Sequence, residues 1–281
     1  MRQTPDFPGL DSLLLGALSE DIGSGDVTAR CCVAADAVSR GLFNVKENGV
    51  ICGLGVAARV FELLDGDVEM AALASDGDVA APGDIIAEIR GPSRSILAGE
   101  RVALNLMRHL SGISTLTAAA VRRVAEYGTR ITDTRKTTPG LRALEKYAVV
   151  CGGGANHRFG LYDGILIKDN HIVAAGGIAS AVALARKNAP HTLKIEVEAE
   201  TLEQVSQAVS AGADIIMLDN MASRQMSEAV SLIGGRALTE ASGNMGDRDL
   251  AEAASTGVDI ISIGALTHSV RALDIGLKFI K

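Results

Sequence analysis

The strongest constraint on the fold is an alternation of short β-rich runs and helical stretches that begins near residue 113. The later runs follow one another at intervals of roughly 20–30 residues, the length of one strand–helix unit. We therefore expect a parallel sheet, and six such units favour a barrel. The predicted strands are 129–133, 163–167, 193–198, 213–218, 237–240 and 258–263.

The preceding part of the chain has no such rhythm and predicts a separate mixed α/β unit. Helices are expected over 10–19 and 93–111, with Gly112 as the end signal of the second. Strands are expected over 40–47 and 84–90, and turn sequences on either side of a further short strand lie at 76–78 and 81–84.

Composition excludes several classes of function. The formal net charge is −7 and aromatic residues make up 3% of the chain, so we expect no nucleic-acid partner. The leucine run at 13–15 is short and is followed by Glu20 and Asp21, so we expect neither a signal peptide nor a membrane span. The four cysteines form no CxxC pair, which is typical of a reduced cytoplasmic protein.

Polar or small residues follow every predicted strand of the barrel. Because the carboxyl ends of barrel strands form one rim, we expect these residues to share one pocket. They are Thr134, Arg135 and Lys136, then Lys168, then Glu196 and Glu198 at the end of the third strand, then Asp219 and Asn220, then Ser242, Gly243 and Asn244, and finally Ser262, Gly264 and His268.

The basic residues near this rim can bind an anionic substrate. An Arg side chain offers a planar fork that matches a carboxylate or a phosphate in two-point contact. The alternative interpretation is a solvated basic loop that is neutralised by nearby carboxylates. The cations are Arg135, Lys136, His157, Arg158 and Lys168, and the carboxylates of the alternative are Glu145, Asp163 and Asp169.

Glu198 and Asp219 come at the ends of consecutive predicted strands. Two carboxylates beside a cation-rich pocket can hold Mg²⁺ together with a pyrophosphate. The alternative is that they cap the following helices. Glu196 shares a strand face with Glu198, so at least one of the pair needs a functional or paired role inside a barrel.

Two glycine turns, at 242–243 and 262–264, resemble turns whose backbone N–H groups bind phosphate, although ordinary turns have the same composition. Two other kinds of catalytic site are not supported. His157, His171 and His268 lack the spacing of zinc ligands, and the Gly-x-Ser-x-Gly pattern of acyl-transfer enzymes is absent.

Together these segments closely resemble the quinolinate phosphoribosyltransferase family, also called nicotinate-nucleotide pyrophosphorylase. The similarity covers nearly the whole chain. Its central motifs are 134–140 (TRKTTPG), 144–149 (LEKYAV), 152–154 (GGG), 156–158 (NHR) and 167–171 (IKDNH). Its outer motifs are 20–21 (ED) with 25–28 (GDVT), 100–101 (ER) with 103–105 (ALN), and 264–269 (GALTHS).

The resemblance implies an incomplete (open) α/β barrel over 113–269 and an N-terminal α/β sandwich domain over 1–112, joined by the C-terminal segment 270–281. It implies a glycosyltransferase of NAD biosynthesis that converts quinolinate and phosphoribosyl pyrophosphate into nicotinate mononucleotide, pyrophosphate and CO2. It also implies a homodimer whose active sites are shared between subunits, and Mg²⁺ as cofactor.

The resemblance assigns roles by position. Arg101, Arg135, Lys136, His157, Arg158 and Lys168 correspond to the family's substrate-binding cations. Glu198 and Asp219 correspond to residues near the ribose and Mg²⁺, and Ser242, Gly243, Asn244 and the turn Ser262–Gly264 to phosphate-side loops. With Thr134 and His268 these complete the predicted site, in which Lys136, Lys168, Glu198 and Asp219 are the expected catalytic residues.

Three other functions compete with this prediction. The first is the molybdenum-transport-associated paralogue of the same family, against which the motifs at 156–158 and 168–171 argue. The second is a Schiff-base lyase that uses Lys168. The third is a non-catalytic anion-binding protein, which would bind both ligands without turnover.

Overall fold

The computed structural model describes residue 5 and residues 7–280. In chain order the helices are α1 (Leu10–Ile22), α2 (Val27–Cys32), α3 (Leu54–Leu64), α4 (Ser93–Val124), α5 (Arg142–Cys151), α6 (Asp169–Ala175), α7 (Ile178–Asn188), α8 (Leu202–Ala211), α9 (Ser223–Ile233), α10 (Leu250–Ser255) and α11 (Ala265–His268). A 3₁₀ turn spans Ala125–Tyr127. The strands are β1 (Val38–Val45), β2 (Gly49–Val50), β3 (Glu69–Ala72), β4 (Val79–Ala80), β5 (Ile85–Pro92), β6 (Arg130–Thr132), β7 (Ile165–Ile167), β8 (Ile195–Ala199), β9 (Ile215–Asp219), β10 (Leu238–Ser242), β11 (Ile260–Ser262) and β12 (Ile275–Ile280).

The chain divides into two compact units. The first contains the residues up to 118 together with 138–153 and those from 270 onward, and the second contains 119–137 and 154–269. Residues 138–153 therefore lie with the first unit, whereas the predicted boundaries placed them in the barrel domain.

The first unit is built on a four-stranded antiparallel sheet in the order β12-β1-β5-β3, beside the short pair β2-β4. Alternate residues of β1 are buried, including Phe43 and Val45. Phe61 of α3 meets Phe43 edge-on with ring centroids 6.4 Å apart. Both rings are fully buried, and burying each contributes roughly 2–3 kcal/mol to the stability of this unit.

Helix α4 is longer than the sequence predicted. We expected it to end at residue 111, but it continues through Gly112 to Val124. A Cβ atom at Gly112 would lie 2.3 Å from the carbonyl oxygen of Arg271. The glycine is therefore required for the close approach of another segment of the first unit, and the interpretation of Gly112 as an end signal was wrong.

The second unit contains a six-stranded parallel sheet in the order β6-β11-β10-β9-β8-β7. Each of the six predicted barrel strands overlaps one of these strands. Among the residues that the structure describes, β6 and β7 do not pair with each other, although Thr132 forms an isolated bridge to Ala155. The predicted fold class, an open α/β barrel with a separate α/β domain, is confirmed.

Between residues 7 and 280 no helix combines the length and the apolar character needed to cross a membrane.

Candidate active site

A cavity of about 470 Å³ lies in the second unit, at the carboxyl ends of the barrel strands. Strand residues two apart point to the same side of a sheet, and side chains on that side of neighbouring strands lie next to one another. Glu198, Asp219 and Ser242 lie on three neighbouring strands and form one wall of the cavity in this way. Most of the predicted site residues line this cavity. They are Thr134, Arg135, Lys136, His157, Arg158, Lys168, Glu198, Asp219, Ser242, Gly243, Asn244 and Ser262.

Glu196, which was expected at the same rim, lines a different cavity, and four residues of the predicted site are not part of this lining. Ile263 is buried, and its N–H donates to the Thr132 carbonyl oxygen at 3.0 Å. Gly264 and His268 lie next to a lining residue, since a Cβ atom on Gly264 would be 3.0 Å from Cδ of Lys136 and 3.2 Å from His268. Arg101 lies in the first unit, on the exposed side of α4.

Asn220, one of the predicted rim residues, also lines the cavity. The sequence interpretation missed three lining residues, namely Leu166, Met217 and Glu240. Each of them precedes a predicted site residue by two positions, as Leu166 precedes Lys168. The alternation of side chains along a strand was therefore the signal that could have identified them.

The basic residues form a cluster inside the cavity. The Arg158 side chain donates to the Gly164 carbonyl oxygen at 2.9 Å. Burial lowers the pKa of Arg158, and the positive charge of nearby Arg135 lowers it further. Two guanidinium groups that repel each other in a half-buried site are stabilised by an anion between them.

The carboxylates of the alternative basic-loop interpretation bind other groups and do not cancel the cation cluster. Glu145 accepts hydrogen bonds from His109 at 2.8 Å and from the Thr138 N–H at 3.0 Å, all within the first unit. Asp169 accepts the Asn170 N–H at 2.7 Å. Asp163 accepts the backbone N–H groups of Phe159 and Gly160, and its charge raises the pKa of Arg158, but burial and Arg135 still lower that pKa overall. The geometry therefore favours a cationic ligand pocket over a neutralised surface loop.

Glu198 and Asp219 lie on the neighbouring strands β8 and β9. Oε2 of Glu198 is 2.5 Å from Nζ of Lys168, and Oδ2 of Asp219 accepts a hydrogen bond from the Asn220 side-chain amide at 2.7 Å. Neither carboxylate occupies the cap of the helix that follows its strand, since the N-cap residues of α8 and α9 are Thr201 and Ala222. Their oxygens are the ligand type that Mg²⁺ prefers.

The turn after β10 is shaped by its backbone. Asn220 and Asn244 have φ values of 55° and 51°, and within the described part of the chain they are the non-glycine residues with positive φ. Gly243 has φ 91°, and a Cβ atom there would lie 2.3 Å from Oδ1 of Asn220. Such strained positions cluster at ligand sites, where they hold the backbone in one arrangement.

His157 is held at the floor of the cavity by both of its ring nitrogens. Nδ1 accepts the backbone N–H of Arg158 at 2.8 Å, so a neutral ring carries its proton on Nε2. Nε2 lies 3.1 Å from Glu196 and 3.7 Å from Glu240. The prediction that at least one of Glu196 and Glu198 has a functional or paired role inside the barrel is thus confirmed, since Glu196 pairs with His157.

Glu240 is 2% exposed. Burial and the charge of Glu196 raise the pKa of Glu240 to about 7, against the opposing effects of His157, Ser262 and Lys168. A carboxylic acid that stays protonated near neutral pH can act as a hydrogen donor.

A second cavity of about 550 Å³ also lies in the second unit. Its wall includes residues from the amino-terminal parts of the strands, such as Arg130, Ile215 and Leu238. His157, Arg158 and Glu240 line both cavities, so these side chains form the partition between them.

Comparison with known proteins agrees with this geometry. The model of the quinolinate phosphoribosyl transferase N-terminal domain matches residues 26–111, and the model of the C-terminal domain matches residues 113–278. A probable nicotinate-nucleotide pyrophosphorylase [carboxylating] of Bacillus subtilis is 47% identical over 268 residues, which cover 95% of this chain and 92% of the relative. Quinolinate phosphoribosyltransferase [decarboxylating] 1b of Nicotiana tabacum is 41% identical over 98% of this chain and 83% of its own.

A solved structure shows the same fold over the full length. The nicotinate-nucleotide pyrophosphorylase of Francisella tularensis superposes with a TM-score of 0.94 at 40% identity, and the match covers all of both chains. From these matches, and from the cationic cavity with its paired carboxylates, we conclude that the chain belongs to the quinolinate phosphoribosyltransferase family.

Proposed function

We propose that this chain transfers the phosphoribosyl group of phosphoribosyl pyrophosphate to quinolinate, giving nicotinate mononucleotide, pyrophosphate and CO2 for NAD biosynthesis. The observation that carries the proposal is a single cavity that combines a cation cluster with two strand-end carboxylates. The cation cluster suits a dicarboxylate and a polyphosphate. The two carboxylates suit a ribose on which positive charge develops.

Quinolinate is assigned to the end of the cavity that holds Arg135, Arg158 and Lys168. Two guanidinium forks can bind two adjacent carboxylates. Phosphoribosyl pyrophosphate is assigned to the adjoining part of the cavity, near Glu198 and Asp219 and the turn 242–244, where Glu198 also contacts Lys168. The half-buried guanidinium pair gives this division its physical basis, because two neighbouring guanidinium groups match two adjacent carboxylates better than one.

The transfer itself needs little acid–base chemistry. The pyridine nitrogen is already a nucleophile, so the protein has to align it with the ribose carbon and stabilise the departing pyrophosphate. Lys136 lines the same cavity, and we assign it to the leaving group. Glu198 and Asp219 can stabilise the positive charge that develops on the ribose as the bond to pyrophosphate breaks. Transfer leaves the ring nitrogen positively charged, which then favours loss of the adjacent carboxylate as CO2.

Magnesium is proposed as the cofactor, held by Glu198 and Asp219. Mg²⁺ binds proteins through one or two carboxylates and takes its other ligands from water and substrate phosphates, and two carboxylates on neighbouring strands fit this pattern. When bound, the ion would neutralise charge on the pyrophosphate. The protein's own contribution is to orient the two carboxylates and to keep Lys168 beside them.

We also propose that the active enzyme is a homodimer in the cytoplasm, with Arg101 serving the partner's active site. Arg101 and Asn105 lie one turn apart on α4, and both are exposed. An exposed Arg with a polar neighbour is suited to reach a ligand on another molecule. The family resemblance supports this assignment, and the scattered cysteines support the location.

The test is a product assay with purified protein, quinolinate, phosphoribosyl pyrophosphate and Mg²⁺. The proposal expects equal amounts of CO2 and nicotinate mononucleotide. Binding of both ligands without product would instead favour an anion-binding protein. Borohydride trapping of a carbonyl substrate on Lys168 would favour a Schiff-base lyase.

A further inference from the structure

We propose that the Glu240 carboxyl group delivers the proton that replaces the lost carboxylate at C2 of the pyridine ring. The proposal rests on the proposed function, and it assigns the proton transfer that completes the loss of CO2 to a residue outside the predicted catalytic set. Release of pyrophosphate reports phosphoribosyl transfer, and release of CO2 reports the step assigned to Glu240, so the two can be tested separately.

Glu240 has the position that such a donor requires. It lies in β10, and its side chain forms part of the cavity wall below the rim residue Ser242. Its Oε1 atom is buried and has no hydrogen-bond partner among the residues that the structure describes. The nearest basic atom, Nε2 of His157, is 3.7 Å away. A buried carboxyl oxygen without a partner, at the surface of a ligand cavity, can pass a proton to a ligand atom.

The surroundings keep a proton on Glu240 rather than on its neighbour. Glu196 is also buried, and its carboxylate is close enough to disfavour a second negative charge. Nε2 of His157 lies closer to Glu196, at 3.1 Å, and so pairs with that carboxylate first. Burial raises the pKa of Glu240 to about 7, and the opposing effects of His157, Ser262 and Lys168 are smaller than the combined effect of burial and Glu196.

Three cations of the cavity are poorer donors. A guanidinium group, which Arg135 and Arg158 carry, does not serve as an acid. Lys168 is held by Glu198 at 2.5 Å. Glu240 therefore combines an acidic proton with a place on the cavity wall.

The bond between C2 and the carboxylate carbon breaks, CO2 forms, and the electron pair stays on C2 beside the positively charged ring nitrogen. C2 takes the proton of Glu240 while CO2 is still next to it, a C–H bond forms, and Glu240 is left as a carboxylate. Without this proton C2 recombines with CO2, so the release of CO2 depends on the proton transfer. Glu240 and His157 also line the second cavity, so water on that side can return a proton before the next turnover. No oxidant or reductant is involved.

The experiment is a single-turnover quench with enzyme in excess over radiolabelled quinolinate and phosphoribosyl pyrophosphate. Pyrophosphate and CO2 are measured in the same samples. In the wild-type protein we expect the two products to appear together. In Glu240→Gln, which keeps the shape but has no acidic proton, we expect pyrophosphate at the wild-type rate and CO2 delayed by about 100-fold, the usual contribution of a general acid.

Two further variants sharpen the result. Glu228→Gln makes the same chemical change at an exposed helix position and should leave both products unchanged. Glu240→Ala should show the same delay as Glu240→Gln, and added formic acid, which fits the vacated space, should shorten it. A purely structural role for Glu240 would not respond to formate.

Pyrophosphate and CO2 that still appear together in Glu240→Gln, whether at the normal rate or equally slowed, would overturn the proposal. A wild-type protein that releases neither product would contradict the proposed function instead. The two failures are therefore distinguishable in one set of samples.

Discussion

Lys168 and Glu198 hold each other across the neighbouring strands β7 and β8, with Nζ of Lys168 2.5 Å from Oε2 of Glu198. Both side chains line the proposed substrate cavity. An anion that binds Lys168 therefore has to compete with Glu198, and a cation that binds Glu198 has to compete with Lys168. This pair links the two parts of the cavity. An anion at Lys168 and a cation at Glu198, bound together, replace the ion pair better than either ligand alone.

Quinolinate should be a substrate and nicotinate should not. With only one carboxylate on the ring, the guanidinium pair Arg135 and Arg158 would lose one charged contact to the substrate in a half-buried site, which costs far more than a lost surface contact. We expect kcat/KM for nicotinate to be lower by at least about 10⁴-fold, measured as mononucleotide formation. Comparable turnover of the two compounds would contradict the assignment of the cation cluster.

Asp219→Ala and Glu198→Ala should mainly impair the handling of phosphoribosyl pyrophosphate. Removal of Mg²⁺ with a chelator should abolish activity, and each substitution should raise the Mg²⁺ concentration that restores it. Calorimetric titration with quinolinate should still show binding to both variants. If quinolinate affinity collapses while phosphoribosyl pyrophosphate binds normally, the two ends of the cavity are assigned the wrong way round.

Arg101→Ala and Lys168→Ala should each be nearly inactive, and mixing them should restore activity. If Arg101 acts on the partner's site, a heterodimer of the two variants has one intact site. Re-annealed equal amounts should recover about a quarter of wild-type activity, because about half of the dimers are heterodimers. Loss of the Arg101 contact should cost roughly 2–5 kcal/mol if it is a buried charge pair.

The control for this experiment is direct detection of the heterodimer with two different affinity tags. Heterodimers that form without any return of activity would show that Arg101 serves its own chain or has no role in the site.

The stability of the folded protein should depend on the Glu240 carboxyl between about pH 4.5 and pH 7. Because the folded pKa is raised above its ordinary value of 4.5, the stabilising contribution of the protonated group is full below that value and is lost as the pH rises through about 7. The loss amounts to roughly 3 kcal/mol.

Glu240→Gln has no such titration. The melting temperatures of both proteins should be measured at pH 5 and pH 8. The melting temperature of the variant relative to that of the wild type should be higher at pH 8 than at pH 5. Because other titrating groups are common to both proteins, they largely cancel from the difference. A constant difference across this range would contradict a raised pKa for Glu240.

Gly112→Ala should destabilise the protein by about 1–3 kcal/mol, the usual cost of overpacking. The added Cβ atom would lie 2.3 Å from the Arg271 carbonyl oxygen, a backbone atom that cannot move away cheaply. Gly16→Ala is the matched control, since Gly16 also lies inside a helix but has nothing within 4 Å of the added atom. That substitution should stabilise α1 by about 0.5–1 kcal/mol. Chemical denaturation of both variants provides the comparison.

The barrel could be predicted from the sequence because the pattern that indicates each strand lies within a short segment of the chain. Each strand carries its own apolar run, and each is followed by polar residues that must meet at one rim. The location of Lys168, Glu198 and Asp219 at a common cavity could therefore be predicted from their positions at the ends of the strands. The length of α4 did not, because only the tertiary structure shows that Gly112 faces the carbonyl of Arg271.

Glu240 was missed for a related reason. The predicted strand stopped at residue 240, which would have placed this carboxyl at a solvated rim, whereas β10 continues to Ser242. Two further residues of strand put Glu240 inside the barrel, next to Glu196 and His157. The sequence contains each of these three residues, but their mutual distances depend on strand register, which no local pattern specifies.

The pairing of β1 with β12 has a consequence for how the chain is made. Arg40 pairs with Ile280 and Val45 with Ile275, so this side of β1 stays without its partner while the ribosome completes some 230 intervening residues. An unpaired strand edge can pair with a strand of another chain. During synthesis the second unit can fold before the first unit is complete. A nascent chain halted before residue 275 should therefore be prone to aggregate through β1.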